Sequence, residues 1–356
     1  MSIVDLSAFL IVFILSFSLT ILFTPLMIQI GKRYRIVSRV GGRRVSQGDV
    51  NQVSKLGGVA VYLGFTVTII VAQYLNVPRF DSSEVIRLSG LIIGGTFIII
   101  VGVLDDIYEL NAVTLGICQI IAAGIAIVFQ IFIEYVNNPL TGQQTDPWAY
   151  VITVVLSMFW FGLMMNTVNF MDGLDGLVAG VAFIAGAMLF INGVFKLNPP
   201  QISVSLLPLA LMGTSAGFLM FNFFPARIFL GGGAIYLGYI LGTLSVIGGA
   251  KMATILLVMG LPLMDLAWQV VRRMSEGRNP MHGDRGHLHF RLQDAGYSQR
   301  QIVIVYYFFC AFFGVLTLVL TSQLFKFIAF GVMLLLILGA FLWLMRLNQA
   351  GSSKSS

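Results

Sequence analysis

Residues 7–30 read Ser7-Ala-Phe-Leu-Ile-Val-Phe-Ile-Leu-Ser-Phe-Ser-Leu-Thr-Ile-Leu-Phe-Thr-Pro-Leu-Met-Ile-Gln-Ile30, and the run closes on Gly31-Lys32-Arg33-Tyr34-Arg35. The run is uncharged and long enough to cross ~30 Å of hydrocarbon as a helix rising 1.5 Å per residue. No Lys or Arg precedes Lys32 and no small-residue cleavage site is evident, so the segment reads as a retained span rather than a signal peptide. The rest of the chain repeats this pattern. Only 21 Lys+Arg and 15 Asp+Glu occur in 356 residues, 10% charged against 58% hydrophobic, and mean hydropathy is +0.92. Soluble domains carry about 25% charged residues, so a water-soluble enzyme is excluded, and a disordered chain is excluded by its apolar content. Runs of ~20 residues, rather than alternating segments of ~10, select helices over a barrel.

Eleven spans are expected, near 7–30, 57–75, 89–104, 112–133, 149–166, 177–194, 202–221, 234–249, 252–271, 301–322 and 325–346, the third and eighth being short. The fold class is therefore an all-α polytopic membrane protein. Its loops sort by charge: 16 of the 21 basic residues fall in one set, which the positive-inside rule makes cytoplasmic. The N-terminus is then outside and the C-terminus cytoplasmic. Residues 1–347 form one integral-membrane domain with cytoplasmic loops 31–56, 104–111, 166–176, 222–233 and 272–300, and 348–356 form a flexible tail. Cys118 and Cys310 both lie in apolar runs and read as packing residues.

Carboxylates are few, so their places matter. Asp105 and Asp106 lie where the third span meets the cytoplasm. Asp172 and Asp175 follow the fifth, in Asn166-Thr-Val-Asn169-Phe-Met-Asp172-Gly-Leu-Asp175-Gly-Leu177. Acids at a membrane boundary are costly unless wetted, paired or metal-bound. A hard divalent cation suits paired carboxylates, and Mg2+ commonly uses one or two of them plus substrate phosphates. The plainer readings are a solvated turn at 105–106 and an Asn/Asp/Gly turn at 169–175.

The loop at 272–300 holds all three histidines, in Met281-His282-Gly-Asp284-Arg285-Gly-His287-Leu-His289-Phe290-Arg291. An extended chain here would put His287 and His289 on one side, and the flanking Arg285 and Arg291 suit a diphosphate. Zinc is a weaker reading, because the loop lacks Cys. Asn222-Phe-Phe-Pro225-Ala-Arg227-Ile-Phe229-Leu-Gly231-Gly232-Gly233 forms a cytoplasmic turn. Its glycines read either as an anion cradle at a helix start or as a close helix joint. A basic segment from Gly41 to Lys55-Leu56-Gly57-Gly58 reads as a lipid-phosphate contact or as a topology signal. No half-to-half repeat is seen and the motif acids collect at one face, Asp265 excepted, so a transporter is disfavoured.

Taken together, Leu104-Asp105-Asp106, Asn166–Leu177, Asn222–Gly233 and Asp284–Leu292 resemble, in order, the motifs of the polyprenyl-phosphate N-acetylhexosamine-1-phosphate transferases (glycosyltransferase family 4). These enzymes start cell-envelope polymers and are related to phospho-N-acetylmuramoyl-pentapeptide transferase. The resemblance covers about residues 30–300 and implies a multi-pass enzyme of a bacterial-type cytoplasmic (inner) membrane. It implies transfer of a sugar 1-phosphate, N-acetylglucosamine foremost, from a UDP-sugar to undecaprenyl or another polyprenyl phosphate, with UMP released. The implied cofactor is Mg2+, or Mn2+ in its place. No nucleic acid is expected as a partner, and a homodimer is left open. Carried over by position, Asp105, Asp106 and Asp172 are catalytic, and Asp105, Asp106, Asn169 and Asp172 hold the metal. Lys55, Asn169, Asp175, Asn222, Phe229, Arg285, His287, His289 and Arg291 bind substrate, with Phe229 stacking on uracil and Asp175 at the uridine.

Four positions depart from the family pattern. Gly232 stands where the family has a metal-binding aspartate, Leu115 where it has lysine, Phe290 where it has histidine, and Ser54 where it has proline. They leave a second reading open: a catalytically impaired relative that binds UDP-sugar or polyprenyl phosphate as a partner or regulator.

Overall fold

A computed structural model describes residues 3–38, 53–79, 81–136, 138, 140–141, 143–247, 252–278, 286–320 and 322–352. The described residues form helices and no strand beyond isolated bridges. In order these are α1 (Ile3–Arg33), α2 (Gly57–Ala72), α3 (Glu84–Tyr108), α4 (Ala112–Val128), α5 (Tyr150–Met171), α6 (Leu177–Ile191), α7 (Ile202–Asn222), α8 (Gly233–Val246), α9 (Met252–Val258), α10 (Gly260–Ser275), α11 (Leu288–Asp294), α12 (Gln299–Val319) and α13 (Gln323–Ser352). A single π-helical turn, Asn192–Lys196, closes α6. Six helices are long and apolar enough to cross a bilayer, and α9 with α10 makes a seventh if the bent pair is one span. Four shorter apolar helices accompany them. The chain is a polytopic helical membrane protein, the form that satisfies backbone polar groups inside hydrocarbon.

Small residues bring the helices together. Along α1, Ser16, Thr20 and Thr24 return their hydroxyls to the carbonyls of Val12, Ser16 and Thr20 at 2.7–2.8 Å. This stripe is self-satisfied, so it can pack against backbone. Gly64 of α2 and Gly217 of α7 both meet Thr20, and Gly213 of α7 meets Ser16. Where lipid is as apolar as a side chain, such close approach supplies the association energy. The charges sit at the ends. Glu84, at the start of α3, is buried, pairs with the exposed Arg79 and accepts the Ser203 hydroxyl at 2.7 Å. Asp106 lies 22 residues further on, about 33 Å along the helix axis.

Several boundaries differ from the sequence expectation. The third span is not short: α3 has 25 residues and carries Asp105 and Asp106 inside its last turn. Helical hydrogen bonding outlasts the apolar run, and Glu109 ends it in the left-handed region at φ 53°. For the same reason α5 includes Asn166 and Asn169. The ninth span is broken, with α10 turning 72° from α9. The 272–300 segment is not all loop, since α10 continues to Ser275 and His289 lies within α11.

Gly217→Leu is expected to lower the thermal unfolding midpoint in detergent. A β-carbon there already stands 2.7 Å from the Phe17 carbonyl oxygen, and overpacking of this kind costs roughly 1–3 kcal/mol or more. An unchanged midpoint would show that α1 and α7 do not meet at this residue.

Candidate active site

The site begins at the end of α3. Asp105 accepts the Leu110 N–H at 2.9 Å and thereby closes its own helix terminus. Asp106 faces the start of α8: Oδ2 accepts the Gly232 N–H at 2.7 Å, and Oδ1 lies 3.8 Å from Lys55 Nζ. Asp172 caps α5 and is half-buried. It and Asp105 both act on Asp106 as neighbouring negative charges. Three carboxylates and one lysine are thus gathered where three segments distant in sequence converge. Asn169 is half-buried on the last turn of α5.

The Gly231–Gly233 turn gets there by close backbone approach. Gly231 adopts φ +60°, where side chains are disfavoured. A β-carbon on Gly232 would overlap the backbone of Gly102 in α3, and Gly233 meets Gly58 in the same way. The anion-cradle reading of these glycines is not borne out. The Gly232 N–H serves Asp106, while those of Gly233 and Ala234 bond to the carbonyls of Leu230 and Gly231. The glycines are there for contact.

Asp175 and Asn222 are buried and stitch two loops together. Asp175 accepts the Ala226 N–H at 3.0 Å, and Asn222 accepts that of Gly176 at 3.0 Å while donating to the Ile228 carbonyl at 2.8 Å. The Tyr307 hydroxyl donates to the Gly176 carbonyl at 2.5 Å. Phe229 is buried with Val53 and Ala226, and its N–H bonds to the Ser54 carbonyl. Ser54, in the place of the family's proline, is fully buried, donates to the Met27 carbonyl at 3.0 Å and accepts from Leu56. Leu115 is a partly buried packing residue of α4.

The histidines form the last wall. His287 Nδ1 lies 3.0 Å from Asp265 Oδ2, and the His287 and His289 rings stack at 5.6 Å. Phe170, between Asn169 and Asp172, stacks on His287 at 5.4 Å, and His289 abuts Gly173. Phe290 packs on the same glycine. Arg291 donates to the Gly286 carbonyl at 2.8 Å. Arg285 lies outside the described residues.

Residues 88–249 match the model of glycosyl transferase family 4. A decaprenyl-phosphate N-acetylglucosaminephosphotransferase of Mycolicibacterium smegmatis is 30% identical over 281 residues, covering 72% of this chain and 69% of that protein. The chain belongs to glycosyl transferase family 4. A probable undecaprenyl-phosphate N-acetylglucosaminyl 1-phosphate transferase of Bacillus subtilis is 28% identical over 319 residues, 87% of this chain and 84% of the relative. A phospho-N-acetylmuramoyl-pentapeptide-transferase of the same organism is 28% identical over 322 residues, 83% and 92%. Within this family 4 chain, sequence reasoning missed the contributions of Gly102, Ser54 and Asp265. For Asp265 a signal existed: Asp265, Gln269 and Arg273 recur every four residues in α10, and all three are buried. That spacing marks one helix face. Gln269 bonds to the Gly286 carbonyl, so the face holds the histidine segment.

Two substitutions test the geometry. Gly232→Asp is expected to lower the unfolding midpoint equally with and without Mg2+, because its β-carbon displaces the turn from Gly102. A midpoint raised by Mg2+ in this variant alone would refute that. Asn222→Ala is expected to cost about 1–3 kcal/mol for each buried backbone group it leaves unpaired, read in the same unfolding assay.

Proposed function

We propose that this chain transfers a sugar 1-phosphate, N-acetylglucosamine 1-phosphate foremost, from a UDP-sugar to a polyprenyl phosphate. An oxygen of the lipid phosphate attacks the β-phosphorus of the UDP-sugar. The bond from that phosphorus to the bridging oxygen breaks, and UMP leaves with the electron pair. The observation that carries this reading is the convergence of Asp105, Asp106, Asp172 and Lys55 at one end of α3, in a chain whose relatives are named as polyprenyl-phosphate N-acetylglucosaminyl-phosphate transferases. Phosphoryl transfer asks a protein mainly for positioning and for neutralisation of developing charge.

The oxygen donors of Asp105, Asp106, Asp172 and Asn169 suit Mg2+, or Mn2+ in its place. Among the described residues no three acidic, histidine or cysteine side chains close into a metal cage. Mg2+ held by one or two carboxylates and completed by substrate phosphates needs none. When bound, it would supply charge neutralisation beside the transferred phosphoryl group. Lys55 then meets the lipid phosphate or the diphosphate, and His287, His289, Arg285 and Arg291 line the diphosphate or sugar side. Asp175, Asn222 and Phe229 support these loops from within. In the bilayer the seven long spans, counting the bent pair as one, and the four shorter apolar helices together make eleven crossings. The N-terminus is outside and the site faces the cytoplasm, where 16 of the 21 basic residues lie.

Membranes carrying the protein are expected to release UMP from UDP-N-acetylglucosamine only when undecaprenyl phosphate and Mg2+ are both present. Asp106→Asn keeps an acceptor for the Gly232 N–H but loses the charge, and the rate should fall roughly 10²–10³-fold with the unfolding midpoint little changed. No UMP across a panel of UDP-sugars would end this reading.

A further inference from the structure

Asp265 has no place in the transfer scheme above, yet it is buried in α10, in the second turn after the bend. A buried carboxylate in a membrane helix is costly unless paired. Its two oxygens are committed to one short segment. Oδ2 lies 3.0 Å from His287 Nδ1, and Oδ1 accepts the Leu288 N–H at 2.9 Å. His289 Nδ1 is further off, at 4.0 Å from Oδ2. From α12, Tyr306 lies within electrostatic reach of the same carboxylate. The His287 ring is held on its faces by Phe170 and His289, so it is fixed in plane as well as in direction. Only 3% of His287 is exposed, and its Nε2 is buried without a hydrogen-bond partner among the described residues. Leaving a buried polar atom idle is costly. A ring fixed this firmly, with one nitrogen unused beside the Asn169–Asp172 turn, is built to meet something that the protein does not itself provide.

We propose that Asp265 is a positioning residue, which keeps the proton of a neutral His287 on Nδ1 and so presents Nε2 as an acceptor to a hydroxyl or amide N–H of the donor substrate's sugar. The role rests on the transfer function proposed above. The chemistry is one-directional. A carboxylate only accepts, so the imidazole must donate from Nδ1, and the partner of one ring nitrogen sets the state of the other. Asparagine at 265 would reverse this. Its oxygen would stay with the Leu288 N–H, which has no other partner among the described residues, and its NH2 would face Nδ1. The ring could then pair only by moving its proton to Nε2. In an Asp–His pair that handles substrate, such a change lowers kcat by up to about 10⁴-fold while the geometry stays intact.

The test uses the full-length protein in detergent or membranes. Selective 15N-histidine NMR on wild type and Asp265→Asn reads the protonation of His287 directly, with His287→Gln providing the assignment. Nδ1 should be protonated in wild type and bare in Asp265→Asn, whether or not any transfer activity is found. Steady-state UMP release then reads the consequence. Asp265→Asn should lower kcat at least about tenfold with the UDP-sugar KM changed less. In a His287→Gln background the same substitution should cause no further loss of kcat, because its effect passes through His287. An Asp265→Asn protein with Nδ1 still protonated overturns the proposal. So does an equal loss of kcat in both backgrounds, which would mark Asp265 as a strut for α11 only. If wild type releases no UMP, the transfer reading fails while the NMR arm still decides whether Asp265 sets the state of His287.

Discussion

Gly232 reaches Asp106 because Gly102 has no side chain. Gly102 and Asp106 are four residues apart on α3 and share a face. The turn before α8 lies flat on the first and donates its N–H to the second at 2.7 Å. Any β-carbon at either glycine would lift the turn away from the carboxylate. A second layer repeats the device, with Gly58 against Gly233, while the Gly57 and Gly58 amides bond to the carbonyls of Phe229 and Leu230. Lys55 precedes this layer and is carried to Asp106 by it. The charged centre is therefore assembled by backbone contact rather than by ion pairing, which at 3.8 Å and partial exposure is too weak to organise three segments.

The rest of the site follows from the cost of polar groups at membrane depth. An unsatisfied backbone amide there is expensive, so the loops that carry the acids have to be tied off internally. Asn222 and Asp175 do this for the Asp172–Gly176 turn and the Phe223–Phe229 loop. Each side chain gives at least one of its polar atoms to loop backbone and so supports the fold of these loops. Phe229 belongs with them, since its ring fills the space beside Val53 and Ala226.

Much of this was legible in the sequence. Apolar run length alone placed each long helix to within a few residues, because hydrocarbon thickness imposes a minimum length. The acid pairs stood out because so few charges exist. Two kinds of feature were not legible. Hydropathy stops short of the helix ends, whereas hydrogen bonding carries α3 through Asp106 and α5 through Met171. Contacts between glycines were also invisible, because Gly102 looks like any other small residue of an apolar span and acquires meaning only when Gly232 lands on it. The aspartate expected at 232 is the instructive case. Its absence reads as a lost ligand in one dimension, while in three dimensions the position has no room for a side chain and contributes a backbone N–H.

The bend between α9 and α10 completes the logic. A straight span would hide Asp265, Gln269 and Arg273 in lipid or core, where a polar stripe of four-residue period has no use. Turning by 72° at Met259 brings α10 off the axis of α9. The stripe then lies under the segment from Gly286 to His289, with Asp265 at its head and Gln269 on the Gly286 carbonyl. The histidines are thereby fixed from below by α10 and from the side by Phe170. One short turn, 170–173, packs on both of them and brings the Asp172 charge within electrostatic reach of Asp106.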